Sequence, residues 1–218
     1  MDTRVYIYYC FLVACFIISL FNYKNDKGLN LISLLLFLSV FTELLVEIFK
    51  YWHINKSNHY ILYHLFTPIE YCLVAGYYYC NIKNNLIKKI IVISIILFCI
   101  VSALISFNIL PTGNYPSLNN QINYVLIIGF SIITLLQINP NTEEKLLFKA
   151  VFWIALGFTI YCTGIFFFNS LYNYLKQKNP LVAKGTFNLI NSIFNDILYT
   201  LISIGFICSR KIKKYSRQ

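Results

Sequence analysis

Glu43, Glu47, Glu70 and Asp196, four of the eight acidic residues in this 218-residue chain, lie inside apolar segments long enough to span a membrane. An ionisable side chain in hydrocarbon costs roughly 2.5–3.5 kcal/mol on insertion scales, so its presence there marks a functional position by default. No Lys or Arg lies deep in any of these segments to balance the acids. Carboxyls so placed are expected to be neutral or to be balanced by a bound cation. Either state suits a site that answers a proton, a cation or a small solute.

Spacing sorts these groups into layers. A helix rises about 1.5 Å per residue, so position along a span converts to depth. On that scale Glu43 falls about 2 Å and Asp196 about 3 Å outward of their span centres, while Glu70 sits at the centre of its own. Glu47, His64 and Asn191 make a second layer about 8–10 Å outward. Glu43 and Glu47 share a helix face at i,i+4, as do Asn191 and Asn195, and Asn188 extends the latter stripe. The expectation is one acidic polar pocket in the outer half, among the second, third and seventh spans. Pro68, two residues before Glu70, removes a backbone hydrogen bond and frees a carbonyl nearby. Lys50, three residues after Glu47, is in reach to pair with it or to snorkel outward. The competing reading has neutral acids and amides merely bonding helices together, at about 1 kcal/mol per interhelical hydrogen bond.

The elements that must hold these residues follow from composition. The chain is 58% apolar and 12% charged. A typical soluble domain is about 25% charged, so the shortfall excludes an ordinary globular fold. The expected fold class is all-α, a single polytopic membrane domain of about seven transmembrane helices with no separate soluble domain. The apolar runs place its spans at roughly 5–21, 31–52, 60–80, 88–110, 122–138, 147–169 and 187–208. Turn-forming residues separate them, among them Gly28, Pro111, Gly113 and Pro140. The stretch 170–186 reads as a long loop with a short interfacial helix around 171–175. Trp52 and the run Tyr77-Tyr78-Tyr79 read as headgroup anchors. Lys and Arg number twelve on one side of this arrangement and six on the other, which puts the N-terminus outside and the C-terminus in the cytoplasm. The cluster Arg210-Lys211-Ile212-Lys213-Lys214 acts in this reading as a stop-transfer signal. The basic excess therefore orients spans and needs no nucleic acid to explain it. All seven cysteines fall in or at the ends of apolar segments, so neither a disulfide framework nor a CxxC metal motif is expected.

Seven spans with an outside N-terminus resemble the rhodopsins in layout, but 187–208 has no lysine to hold retinal. The layout is also similar to seven-span hydrolases of the ceramidase and adiponectin-receptor type, which hold zinc with histidines and an aspartate. Here the last span offers Asn191, Asn195 and Asp196, where zinc prefers His and Cys. No HExxH, GxSxG or P-loop occurs. The expected function is non-enzymatic, sensor-like or transporter-like, with Glu43, Glu47, His64, Glu70, Asn191, Asn195 and Asp196 as the ligand- or cation-binding set. No cofactor is expected beyond a bound cation, and no confident metal set. The alternatives are a metal-assisted intramembrane hydrolase using Glu43, Glu47, His64, Glu70 and Asp196, and a purely structural accessory subunit. The lipid bilayer is the expected partner, joined by a second copy or by a membrane or cytoplasmic protein. Lys outnumbers Arg fifteen to three beside abundant Asn and Ile, a bias that points to a bacterial cytoplasmic membrane.

Overall fold

A computed structural model describes residues 3–21, 26–52, 56–109, 116–138 and 146–215. Residues 22–25, 53–55, 110–115 and 139–145 lie outside the described residues, as do the side chains of the basic cluster after Ser209. The described residues form seven α-helices and no strand: α1 (Thr3–Leu20), α2 (Lys27–Tyr51), α3 (Lys56–Asn81), α4 (Asn85–Leu104), α5 (Ser117–Gln137), α6 (Ala150–Lys178) and α7 (Pro180–Tyr215). A π-helical turn, Ile105–Ile109, continues α4, and a 3-10 turn, Leu146–Phe148, precedes α6.

Five of these helices carry stretches long and apolar enough to cross a membrane, and the apolar part of α1, Tyr6–Leu20, is shorter. The remaining helix, α3, has the length of a span, but His64, Pro68, Glu70 and its tyrosines lower its hydropathy. The outer face of α4 shows what solvent these helices suit. Leu86, Ile90, Ile93, Leu97, Ile100 and Leu104 recur every three or four residues, and each is more than half exposed. A continuous apolar stripe of that length is stable against lipid and not against water. The chain is an integral membrane protein. Its hydroxyls obey the same constraint, since in lipid every polar group must be satisfied internally. Ser33, Ser39, Ser131, Thr134 and Thr159 each donate to the carbonyl four residues back, at 2.7–3.1 Å.

The chain divides into two compact units, Asp26–Leu126 and Met1–Asn25 with Ile127–Gln218. In the first, Asp26 caps α2 by accepting from the amides of Gly28 and Leu29 at 2.8 and 3.3 Å. Asn84 caps α4 by accepting from Leu86 N at 2.8 Å. The helices α2 and α3 run antiparallel, and Gly28 lets them close. A Cβ there would meet Asn81 Nδ2 at 2.9 Å and Tyr77 at 3.3 Å, while Leu31 reaches to within 3.1 Å of the Cβ position of Gly76. The central element is α3, with Tyr71, Val74, Ala75, Tyr77 and Tyr78 almost wholly buried. Tyr77 and Tyr78 are thus core residues and not headgroup anchors. Tyr79 faces outward under the Lys88 ammonium, 5.2 Å from the ring centre, and Trp52 is 68% exposed.

Between α3 and α4 the Sγ atoms of Cys72 and Cys99 lie 3.7 Å apart. A disulfide needs about 2.05 Å, so the two thiols are unbonded neighbours. Mild oxidation of the purified protein, followed by denaturation and maleimide labelling, is expected to leave five of its seven thiols reactive, and Cys72→Ser is expected to abolish the oxidative loss. Seven thiols surviving in the wild type would contradict the α3–α4 packing.

In the second unit, α7 packs on both α6 and α1. The stretch 170–186 is not a loop. Helix α6 continues to Lys178 and α7 starts at Pro180, joined by Asn179 alone. Two local causes produce this turn. Asn179 accepts from Val182 N at 3.2 Å as an N-cap, and proline is pre-organised for the first helical position. At 29 and 36 residues these helices are about 43 and 54 Å long. Both exceed a hydrocarbon core of about 30 Å, so the hairpin extends past the apolar segments that hydropathy detects. Phe187 packs against Phe168 and Tyr172, with ring centres 5.9 and 5.1 Å away. Deeper, Gly164 gives room to the Phe194 ring, which fills the space a Cβ would need. Gly157 and Gly205 make similar close approaches to Leu201 and Ile154. Small residues at such crossings are how helices associate in lipid.

Candidate functional site

The first unit contains a polar ladder through its interior. The helices α3 and α5 run the same way there, and their polar residues meet in ascending order. His64 Nδ1 lies 2.7 Å from Ser106 Oγ, and Asn119 Nδ2 donates to that same oxygen at 3.2 Å. Ser106 thus accepts from Asn119, and its own proton is free to go to His64. One step along, Thr67 Oγ1 donates to Asn120 Oδ1 at 2.8 Å. One further step along, Asn123 Nδ2 donates to Glu70 Oε2 at 3.3 Å. His64, Thr67 and Glu70 follow one another at i,i+3, and Asn119 and Asn123 at i,i+4, so each set lies on one face of its helix. His64, Thr67, Ser106, Asn119, Asn120 and Asn123 are all buried, and Glu70 is half-buried.

The π-helical turn supplies the third wall. Widened turns of this kind are frequent at functional positions. Here the turn brings Ser106 onto the ladder, and the Ser102 carbonyl accepts from Asn119 Nδ2 at 3.4 Å. Proline at 68 cannot donate to the carbonyl of His64 four residues back, which loosens the backbone of α3 between His64 and Glu70. Below the ladder, Tyr71 Oη donates to Ser94 Oγ and Ser94 to the Ile91 carbonyl, both at 2.7 Å, so that branch is closed. The ladder itself is not. The side-chain oxygens of Asn119 and Asn123 are buried and have no hydrogen-bond partner among the described residues. A buried unsatisfied acceptor costs about 1–3 kcal/mol.

Four of the predicted site residues, Glu43, Glu47, His64 and Glu70, belong to this unit. Glu47 pairs with Lys50 at 2.6 Å, on a side chain half in solvent. Such exposed pairs are worth about 0–1 kcal/mol, so Glu47 is already neutralised at little gain in stability. The register set by Gly28 with Tyr77 and Asn81, and by Leu31 with Gly76, continues along the antiparallel pair. It brings Glu43 near the level of His64, and Glu70 near the level of Phe37. Glu43 is half-buried. The other three predicted residues belong to the second unit. Asn195 Nδ2 donates to the Asn191 carbonyl and side-chain oxygen at 2.8 and 3.3 Å, which fulfils the i,i+4 stripe. Asp196 presents a carboxylate oxygen that is buried without a hydrogen-bond partner among the described residues.

Sequence reasoning missed Asn119, Asn120, Asn123, Thr67 and Ser106. The first two fall in what hydropathy reads as a loop, 111–121, whereas α5 begins at Ser117. The available signal was periodicity: Asn119/Asn123 and Ser102/Ser106 repeat the i,i+4 pattern that singled out Asn191/Asn195. Among the described residues no three His, Cys, Asp or Glu side chains gather as a metal set. The polar groups of the ladder are amides, hydroxyls, the His64 imidazole and one carboxylate. Comparison with family models, with curated proteins and with solved structures finds no match. The functional reading therefore rests on the residues themselves.

Proposed function

We propose that this chain is a seven-span protein of a bacterial cytoplasmic membrane, N-terminus outside, working as a sensor-like or transporter-like protein. Its acidic polar site, centred on Glu70 and reaching His64, binds a proton, a cation or a small solute. The observation that carries this reading is the incomplete ladder. A ladder that only held helices together would close its hydrogen bonds, as the Tyr71–Ser94–Ile91 branch does. Instead a carboxylate and two bare amide oxygens sit inside a span, where unsatisfied polar groups are most costly. Asn191, Asn195 and Asp196 form a second polar stripe, in the other unit.

Thermal unfolding in detergent tests the reading. The melting temperature of the wild type is expected to depend on pH or on added cation. The triple variant Glu43→Gln/Glu70→Gln/Asp196→Asn is expected to lose that dependence. A triple variant with the full wild-type dependence contradicts the proposal, and so does a wild type that responds to neither.

A further inference from the structure

The two amide oxygens say more than that something binds. Asn119 and Asn123 both commit their NH2 groups, Asn119 to Ser106 Oγ and the Ser102 carbonyl, Asn123 to the Glu70 carboxylate. With Glu70 ionised, neither amide gains by flipping. A flipped Asn119 would set oxygen against the Ser102 carbonyl, and a flipped Asn123 would set oxygen against the Glu70 carboxylate. With Glu70 ionised, this network leaves both carbonyl oxygens as bare acceptors. They lie one helical turn apart on one face of α5, a spacing that puts Cβ atoms about 5–6 Å apart. Both residues have no exposed surface at all.

We infer that the Glu70–Asn123 end of the ladder binds one hard monovalent cation of the alkali-metal class, held by the Glu70 carboxylate and the carbonyl oxygens of Asn123 and Asn119. Three arguments select this ligand. The first is number: a single proton on Glu70 satisfies one acceptor, whereas a cation accepts several oxygens at once. The second is charge. One carboxylate and neutral amides carry a single negative charge, which a monovalent ion cancels; a divalent ion would leave an uncompensated charge in a low-dielectric interior. The third is donor chemistry. Carboxylate, amide and hydroxyl oxygens suit hard cations, and the nitrogen and sulfur donors that draw zinc or copper are not part of this end of the ladder. Thr67 and Asn120, hydrogen-bonded to each other at 2.8 Å, tie α3 to α5 beside these oxygens.

This inference rests on the function proposed above, and the test separates the two. Full-length protein in detergent is melted at fixed pH in sodium, potassium, lithium or choline chloride of equal ionic strength. An alkali cation is expected to raise the melting temperature saturably, by about 5–10 °C at a hundred times its Kd, and choline is not. Asn123→Leu and Asn119→Leu are each expected to shift the midpoint of that response at least tenfold, and Glu70→Gln to remove it. A wild type indifferent to all three alkali cations overturns the inference. If its melting temperature still follows pH, and Glu70→Gln removes that dependence, the occupant is a proton and the proposed function stands; if pH has no effect either, both fall. Leucine variants that keep the wild-type midpoint overturn the assignment of the amide oxygens. Should one leucine variant fail to accumulate, the other reports on the same oxygen pair, and the wild-type salt series needs neither.

Discussion

Asn123→Leu is expected to destabilise the protein by about 1.5–3 kcal/mol, the range for losing a hydrogen bond to a charged group. The Asn123 amide is the hydrogen bond that Glu70 makes to another helix, and leucine removes it while keeping the volume. The carboxylate is then stranded in an apolar span. Glu70→Leu made on its own leaves the Asn123 amide without its acceptor and is expected to cost about 1–3 kcal/mol. The double variant Asn123→Leu/Glu70→Leu is expected to recover most of the loss, because replacing both partners with apolar groups leaves nothing unsatisfied. Thermal unfolding of the four proteins closes the cycle, at about 2–4 °C per kcal/mol for a chain of this size. Additive losses would mean that the two groups do not interact across α3 and α5.

Gly164→Val is the second large effect. The Phe194 ring occupies the position of any Cβ at residue 164, so valine must push the ring off or part α6 from α7. Overpacking of this kind costs about 1–3 kcal/mol. It acts on the hairpin that forms most of the second unit. Phe194→Ala also destabilises, by leaving a void, but combined with Gly164→Val it removes the collision. The pair is therefore expected to cost less than the sum of its singles, again read from melting temperatures. A Gly164→Val protein as stable as the wild type would contradict the α6–α7 packing.

These two sites differ in how visible they were in the chain. The helices themselves were largely legible, because runs such as 90–104 are apolar enough to announce themselves and Asp26 and Asn84 punctuate them. The four membrane acids were equally plain, since an acid among leucines has few explanations. The i,i+4 pairing of Asn191 with Asn195 and the i,i+3 pairing of Glu47 with Lys50 also followed from spacing. What spacing could not give was partners. In lipid the apolar side of a helix does not point inward, so nothing in the sequence says that α3 is central or that Tyr77 and Tyr78 are buried. Hydropathy also misplaced the ends of helices. Residues 117–121 and 170–186 read as loops, yet all but Asn179 are helical, and the first stretch carries the amides that meet Ser106 and Thr67. Depth arithmetic set Glu43 level with Glu70. The α2–α3 register moves Glu43 towards His64, because the glycine contacts offset the two helices by more than a turn from their hydropathic centres.

The central claim is that Glu70 is the group that answers the ligand. Infrared difference spectroscopy of the protein in lipid, with the buffer exchanged between choline and sodium or stepped in pH, reads carboxyl groups directly. That role predicts difference bands in the carboxyl and carboxylate regions that vanish in Glu70→Gln and persist in Glu47→Gln, whose carboxylate is already paired with Lys50 at the surface. A spectrum that Glu70→Gln leaves unchanged, or no carboxyl bands in the wild type under either exchange, would contradict it.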